Sequence, residues 1–252
     1  METQVKLGLN RTGIAMSPLD IKKMVADDEA TAPADITLLR PYSPIREEYF
    51  AEDGRVGTVP IPASLKGMWE SGKSLLSGDH PQVLIDKLGE RLAFERSGVR
   101  LYGALLAKCS TLTQSLPDEI IEKLQHFQRE EQQHFQLLAD CMTEIGADPT
   151  AETPCADVSG VESSGLVKVI TDPRTTLTQS LHALLTVELV DQVGWEELIE
   201  LARTLGREQI AERFAEAEAE ERVHLVTVRR WFSQLTLAEA QGQAQAAPRQ
   251  LQ

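Results

Sequence analysis

The sequence predicts an all-α protein whose main domain is a four-helix bundle. Apolar residues recur at steps of three and four along four long stretches between residues 81 and 235. Proline and acidic residues precede these stretches and glycines follow them, as at the ends of helices. The pattern Glu-x-x-His occurs in the second stretch and again in the fourth. These observations divide the bundle into two similar helix pairs.

The chain before and after the bundle has a different composition. Residues 1–62 contain six of the twelve prolines, and residues 1–80 are predicted to be a largely irregular amino-terminal extension. Within it the sequence allows short helices at 17–24 and 63–70 and a hairpin at 48–59. Residues 236–252 are rich in Ala and Gln and predict a flexible tail.

The first helix pair lies within residues 81–146. Pro81 suits the first turn of a helix, and the apolar face that follows is interrupted by Glu95. Pro117, followed by two acidic residues, begins the second helix, and Gly146 ends it. The short connection at 110–116 makes these two helices neighbours in a hairpin.

The second helix pair follows a long connection. Residues 147–172 contain two prolines and two glycines and are interpreted as a crossover. The third helix is predicted to begin at Thr171-Asp172-Pro173 and to end at Gly206. After a short connection at 206–208, the fourth helix is predicted to continue to Leu235. A long crossover between helices two and three therefore joins the two hairpins.

Seven acidic or histidine side chains interrupt the apolar face of these helices near the middle of the bundle. They are Glu95, Glu131, His134, Glu188, Asp191, Glu221 and His224. A buried carboxylate without a partner costs several kcal/mol, so these acids must be protonated or neutralised by cations. We expect no Lys or Arg on the inward faces. Two divalent metal ions would supply the missing charge.

Other noticeable residues have simpler interpretations. Trp195 and Trp231 are expected to be core aromatics. Five further acids lie off the inward faces and are expected to be solvated: Glu130, Glu196, Glu197, Glu200 and Glu220.

The bundle has a lone Glu on one helix and Glu-x-x-His on the next, and both elements recur after a long crossover. This pattern resembles that of the ferritin-like di-iron carboxylate superfamily. The resemblance covers about residues 81–235 and is closest to its bacterioferritin and rubrerythrin branch. It implies two iron ions, and the donor set also suits manganese. By the same resemblance Glu95 and Glu188 are ligands, Glu131 and Glu221 bridge the metals, and each histidine binds one of them.

The resemblance also bears on two further residues. Tyr102 lies where such proteins often place a tyrosine close to the metals, although a core aromatic would fit as well. Asp191 takes the place of an additional Glu of rubrerythrins, where it would bind a metal directly, through water, or support a ligand. No cysteine-rich rubredoxin module follows the bundle.

The resemblance implies an oxidoreductase that uses dioxygen or peroxide, either oxidising ferrous iron or reducing peroxide with an unknown electron donor. Three alternatives remain open. They are an iron-storage oligomer with a mineral core, a manganese catalase, and a non-catalytic bundle with a vestigial site.

Composition limits the partners and the compartment. The net charge of −14 argues against nucleic acid and against an anionic membrane surface. Three cysteines without CxxC spacing favour reduced thiols and a cytoplasmic location. We expect a homodimer or a higher homo-oligomer, since symmetric assemblies are common.

Overall fold

A computed structural model describes Val59, residues 81–112 and residues 116–242. These residues form five helices and no strand, which confirms the predicted all-α class. The helices are α1 (Pro81–Cys109), α2 (Asp118–Glu144), α3 (Pro154–Thr171), α4 (Leu177–Thr204) and α5 (Glu208–Ala240). The segments predicted at 17–24, 48–59 and 63–70 lie outside the described residues, apart from Val59.

Four of the helices pack in a closed ring. Helix α1 contacts α2 and α4, and α5 completes the ring by contacting both α2 and α4. Helices α1 and α2 run antiparallel, because Tyr102 lies beside Phe127 while Glu95, earlier in α1, lies near His134, later in α2. Helices α4 and α5 run antiparallel as well, because Thr178, at the start of α4, contacts Glu239, at the end of α5. Two separate clusters of buried apolar side chains fill the interior.

Helix α3 is the main departure from the predicted element order, because the crossover at 147–172 contains a helix of 18 residues. The Thr153 hydroxyl accepts a hydrogen bond from the Ala156 amide, and Pro154 occupies the first turn, where its missing N–H has no cost. Gly160 and Gly165 both have exposed positions on α3. Proline and glycine therefore did not end helical structure here.

Helix α3 runs parallel to α1 along the outside of the ring. Near its start the Cys155 amide donates to Asp86 Oδ1 at 2.9 Å, and just past its end Lys108 Nζ donates to the Asp172 carbonyl at 2.8 Å. A helix of this length spans roughly 27 Å, so α3 itself carries the chain along most of α1 between Asp86 and Lys108. A side chain at Gly89 would overlap Thr153, and this glycine allows the close approach.

The remaining helix ends agree only in part with their predicted positions. Gly146 and Gly206 have φ values of 83° and 67° and follow α2 and α4, as predicted. The start of α4 was predicted too early, because Thr176 forms a capping box with Gln179 and the helix begins at Leu177. Helix α5 continues past Leu235 to Ala240, and Ala238 is buried. None of the five described helices combines the length and apolar character needed to cross a membrane.

Candidate metal centre

A buried polar layer contains the seven predicted metal ligands and Tyr102. Each of them is at most 2% exposed: Glu95, Tyr102, Glu131, His134, Glu188, Asp191, Glu221 and His224. All four helices of the ring contribute to this layer. Their convergence is the arrangement that the sequence predicted for a metal centre.

The potential ligand atoms form three overlapping groups, within each of which the atoms lie no more than 4.8 Å apart. The first consists of Glu131, Glu188, Glu221 and His224; the second of Glu95, His134 and Glu221; the third of Glu95, Glu131, Asp191 and Glu221. Glu221 belongs to all three, and Glu95 and Glu131 belong to two each. Of these, only Glu131 and Glu221 share a group with Glu188 as well as a group with Glu95. The overlap places these two carboxylates between two neighbouring candidate positions for an ion.

Several polar atoms of this layer have no hydrogen-bond partner among the described residues. Both carboxylate oxygens of Glu95, Glu131 and Glu221 are in this state, as is Nδ1 of each histidine. The His134 Nδ1 atom lies only 2.6 Å from Glu221 Oε1, yet the two atoms are not directed at each other as a hydrogen bond requires. Buried polar atoms are nearly always paired, so this inward-facing set of carboxylate oxygens and imidazole nitrogens fits bound cations.

The outer nitrogen of each imidazole contacts a glutamate from the opposite helix. His134 Nε2 on α2 lies 2.8 Å from Glu220 Oε2 on α5, and His224 Nε2 on α5 lies 2.9 Å from Glu130 Oε2 on α2. Both glutamates were expected to be solvated, and Glu220 is exposed, but the Glu130 side chain is only 13% exposed. Each precedes a predicted ligand by one residue, but its long side chain reaches across the α2–α5 contact. Such partners orient histidine ligands and fix their tautomer.

Arg91 is a buried cation in this layer, contrary to the expectation that the inward faces carry none. Its Nη2 atom lies 2.5 Å from Asp191 Oδ1 and 3.6 Å from Glu95 Oε1. The guanidinium also covers the Phe94 ring, 4.2 Å from its centroid. Arg91 lies one helical turn before Glu95, so the spacing of four residues places both on one face of α1. That spacing was the available sequence indication.

Aromatic rings enclose the polar layer. The Tyr102 hydroxyl donates to Glu188 Oε1 at 2.7 Å, and its ring meets His224 edge-on. On the other half Trp195 meets His134 edge-on, at a centroid distance of 5.5 Å. Trp195 and Trp231 are buried, as predicted. These rings exclude water, which strengthens electrostatic interactions inside the layer.

The two halves of the internal repeat differ beside the lone glutamates. Three residues after Glu95 the chain has Gly98, whereas three residues after Glu188 it has Asp191. A side chain at Gly98 would overlap Glu131 Oε2, so the glycine provides the space that this carboxylate occupies. The centre is therefore built from a repeated pattern but is chemically asymmetric.

Burial and mutual repulsion shift the pKa values of the acids in this layer. Burial raises the pKa values of Glu95 and Glu131 well above their ordinary range, and that of Glu188 to about 8. Burial also raises the pKa of Asp191, but the charge of Arg91 opposes this shift. Glu221 is the exception. Burial opposes its ionisation, but the interactions with His134 and His224 overcome that effect and lower its pKa.

The histidines shift in the direction that favours their charged form. Burial alone would lower the pKa of His134, yet Glu221 and Glu95 raise it to about 9. The pKa of His224 is raised as well, because Glu130, Glu131 and Glu221 outweigh its burial. Without a metal ion, protons bound to these side chains offset the negative charge of the layer. A bound cation would compete with those protons.

Comparison of this chain with known protein families, with curated proteins and with solved structures found no match.

Proposed function

We propose that this chain is a ferritin-like di-iron carboxylate protein, an oxidoreductase that uses dioxygen or peroxide to oxidise ferrous iron or to reduce peroxide. One observation carries the proposal. Buried carboxylate oxygens and imidazole nitrogens from four helices face one another in overlapping groups and lack hydrogen-bond partners among the described residues. The ring of antiparallel helices with a long crossover supports the same assignment.

The grouping of donor atoms supports a division of the ligands. We assign Glu188 and His224 to one iron, and Glu95 and His134 to the other. Glu131 and Glu221 are assigned as the bridging carboxylates, because each shares one group of neighbouring donors with Glu188 and another with Glu95. Asp191 lies in the third group but contacts Arg91.

Two iron ions held together supply two electrons to an oxidant such as dioxygen or peroxide. The protein's own residues set the conditions for that chemistry. Glu130 and Glu220 accept hydrogen bonds from the outer nitrogens of the histidines, so that Nδ1 of each imidazole faces the centre. The Tyr102 hydroxyl donates a hydrogen bond to Glu188 Oε1 and so holds its phenolic proton at that carboxylate. The surrounding rings keep bulk water away.

The proposal is tested by metal reconstitution. Protein freed of metal with a chelator and titrated anaerobically with Fe(II) should bind about two ions per chain. Admission of air should oxidise the bound iron, with a rise in near-ultraviolet absorbance. Glu131→Ala and His224→Ala should each lower the iron bound, whereas Glu200→Ala, on the exposed surface of α4, should not.

The outcomes separate the alternatives. A chain that binds no iron overturns the proposal and leaves a vestigial site. Uptake far above two ions per chain in a very large particle would show storage. Vigorous oxygen evolution from peroxide by a manganese-loaded sample, without ferroxidase activity, would show a manganese catalase.

A further inference from the structure

The buried guanidinium of Arg91 gives the proposed centre an uneven charge distribution. The layer contains five carboxyl groups, and only one of them, Asp191, lies within 2.5 Å of Arg91. If Arg91 balances Asp191, the four glutamates that remain carry four negative charges when ionised. Two divalent ions would neutralise those four charges without any contribution from Asp191.

Arg91 lies on one side of the centre only. Besides Asp191, its Nη2 atom approaches Glu95 Oε1, 3.6 Å away. Glu95 belongs to the group that contains His134 and not to the group that contains His224. In the described part of the chain Arg91 forms no ion pair with Glu188, which belongs to the His224 group. A cation at the Glu95–His134 position would therefore face a second, fixed cation nearby.

The surroundings hold Arg91 in this place. Its guanidinium covers the Phe94 ring, and a side chain at position 194 would overlap Arg91 Nη1, so Gly194 provides the space for it. Arg91 is 2% exposed and cannot turn toward solvent without leaving Asp191 buried and unpaired. The charge is thus a permanent part of this half of the layer.

We propose, on the basis of the di-metal function proposed above, that Arg91 makes the two metal positions unequal in affinity. The tighter ion is held by Glu131, Glu188, Glu221 and His224. The weaker ion is held by Glu95 and His134 with the shared carboxylates, and repulsion from Arg91 lowers its affinity. Asp191 is the partner of Arg91 and not a metal ligand.

Anaerobic titration of the metal-free full chain with Co(II) tests this proposal, because visible absorption reports each bound ion without any enzymatic turnover. The wild type should bind two ions in separate steps at least about tenfold apart in dissociation constant, which corresponds to about 1.4 kcal/mol. Glu188→Gln should weaken the tight step, and Glu95→Gln should weaken the loose one.

Two variants of the ion pair should shift the loose step in opposite directions. Arg91→Met removes the fixed charge and should tighten it by about tenfold or more, whereas Asp191→Asn frees the charge of Arg91 and should loosen it. Damage to the fold would loosen both steps in both variants. Lys87→Met is the matched control, since Lys87 lies one turn earlier in α1 and pairs with the partly exposed Glu90. It should change neither step.

The results also distinguish this inference from the proposed function. Absence of any Co(II) binding would overturn the di-metal function itself. Two ions bound with equal affinity, or a loose step that Asp191→Asn leaves unchanged, would overturn the role of Arg91 while leaving the di-metal function standing. If Arg91→Met does not fold, the wild-type titration and Asp191→Asn decide the question.

Discussion

His134 on α2 and Glu220 on α5 are joined by a contact of 2.8 Å between Nε2 and Oε2, although their side chains are 3% and 46% exposed. The half-exposed carboxylate thus determines which face the buried imidazole turns inward. His224 and Glu130 repeat the arrangement in the opposite direction, from α5 to α2. Each histidine of the layer is therefore oriented by the helix that carries the other one.

Removal of the Glu220 carboxylate should weaken metal binding at the His134 position. Glu220→Ala leaves the His134 ring without its partner, and losses of about 10–100-fold in metal affinity are typical for such partners. Glu220→Gln keeps an acceptor oxygen and should restore part of the affinity. Competition with a chromophoric chelator measures both.

Glu216→Ala provides the matched control for Glu220, because Glu216 is exposed on the same helix one turn earlier. It should leave the affinity unchanged. Equal affinity in Glu220→Ala and the wild type would show that the Glu220 contact does not orient His134.

The stability of the metal-free protein should fall as pH rises from about 6.5 to 9. Glu188 and His134 have folded-state pKa values of about 8 and 9, above their ordinary values of 4.5 and 6.5. In this window the folded chain holds more protons than the unfolded chain, so each excess proton lowers the free energy of unfolding by about 1.4 kcal/mol per pH unit. Glu221 has a lowered pKa, and its contribution is lost only in acid.

Urea unfolding in the presence of a chelator, repeated across this pH range, measures the slope. Glu188→Gln removes one of the excess protons of the folded chain and should flatten the slope, whereas Glu200→Gln should not. Stability that increases with pH from 6.5 to 9 would contradict the protonation states derived for the layer.

The placement of the layer was predictable because it depends on local periodicity. Glu95, Glu131 and Glu188 occupy positions that a helical repeat assigns to the interior, and acids that interrupt an apolar face can be recognised in the sequence. The repetition of Glu-x-x-His then indicates which helix of the first pair corresponds to which helix of the second. Long helices with regular spacing are the elements that such reasoning locates best.

The features that the sequence did not predict have physical causes of a different kind. Arg91 and Glu130 have long side chains whose termini lie several ångströms from their own helix axes, so their environment depends on neighbouring helices. Helix α3 was not predicted because Pro154 and two glycines suggest a loop. Proline in a first turn and glycines on an exposed face are nevertheless tolerated in a helix. Sequence spacing alone does not report how neighbouring helices approach one another.

Tyr102→Phe should destabilise the protein while keeping the packing of the ring. The hydroxyl donates to Glu188 Oε1 at 2.7 Å in a fully buried setting. Loss of a buried hydrogen bond that leaves its partner unpaired costs about 1–3 kcal/mol. Urea unfolding of the metal-free protein measures this cost, and iron stoichiometry should remain near two per chain. An unchanged stability would show that the hydroxyl contributes nothing to the layer.

Gly98→Ala should displace Glu131 and reduce metal binding, although alanine is the better helix former. The added methyl group would overlap Glu131 Oε2, and α1 is held in place by neighbours on several sides. Gly160→Ala on α3 is the matched control, since its added methyl group meets open space and should stabilise the helix by up to about 1 kcal/mol. Metal analysis and thermal melting of the two variants should therefore diverge. If Gly98→Ala binds as much iron as the wild type, Glu131 is not held as a bridging ligand in the position described.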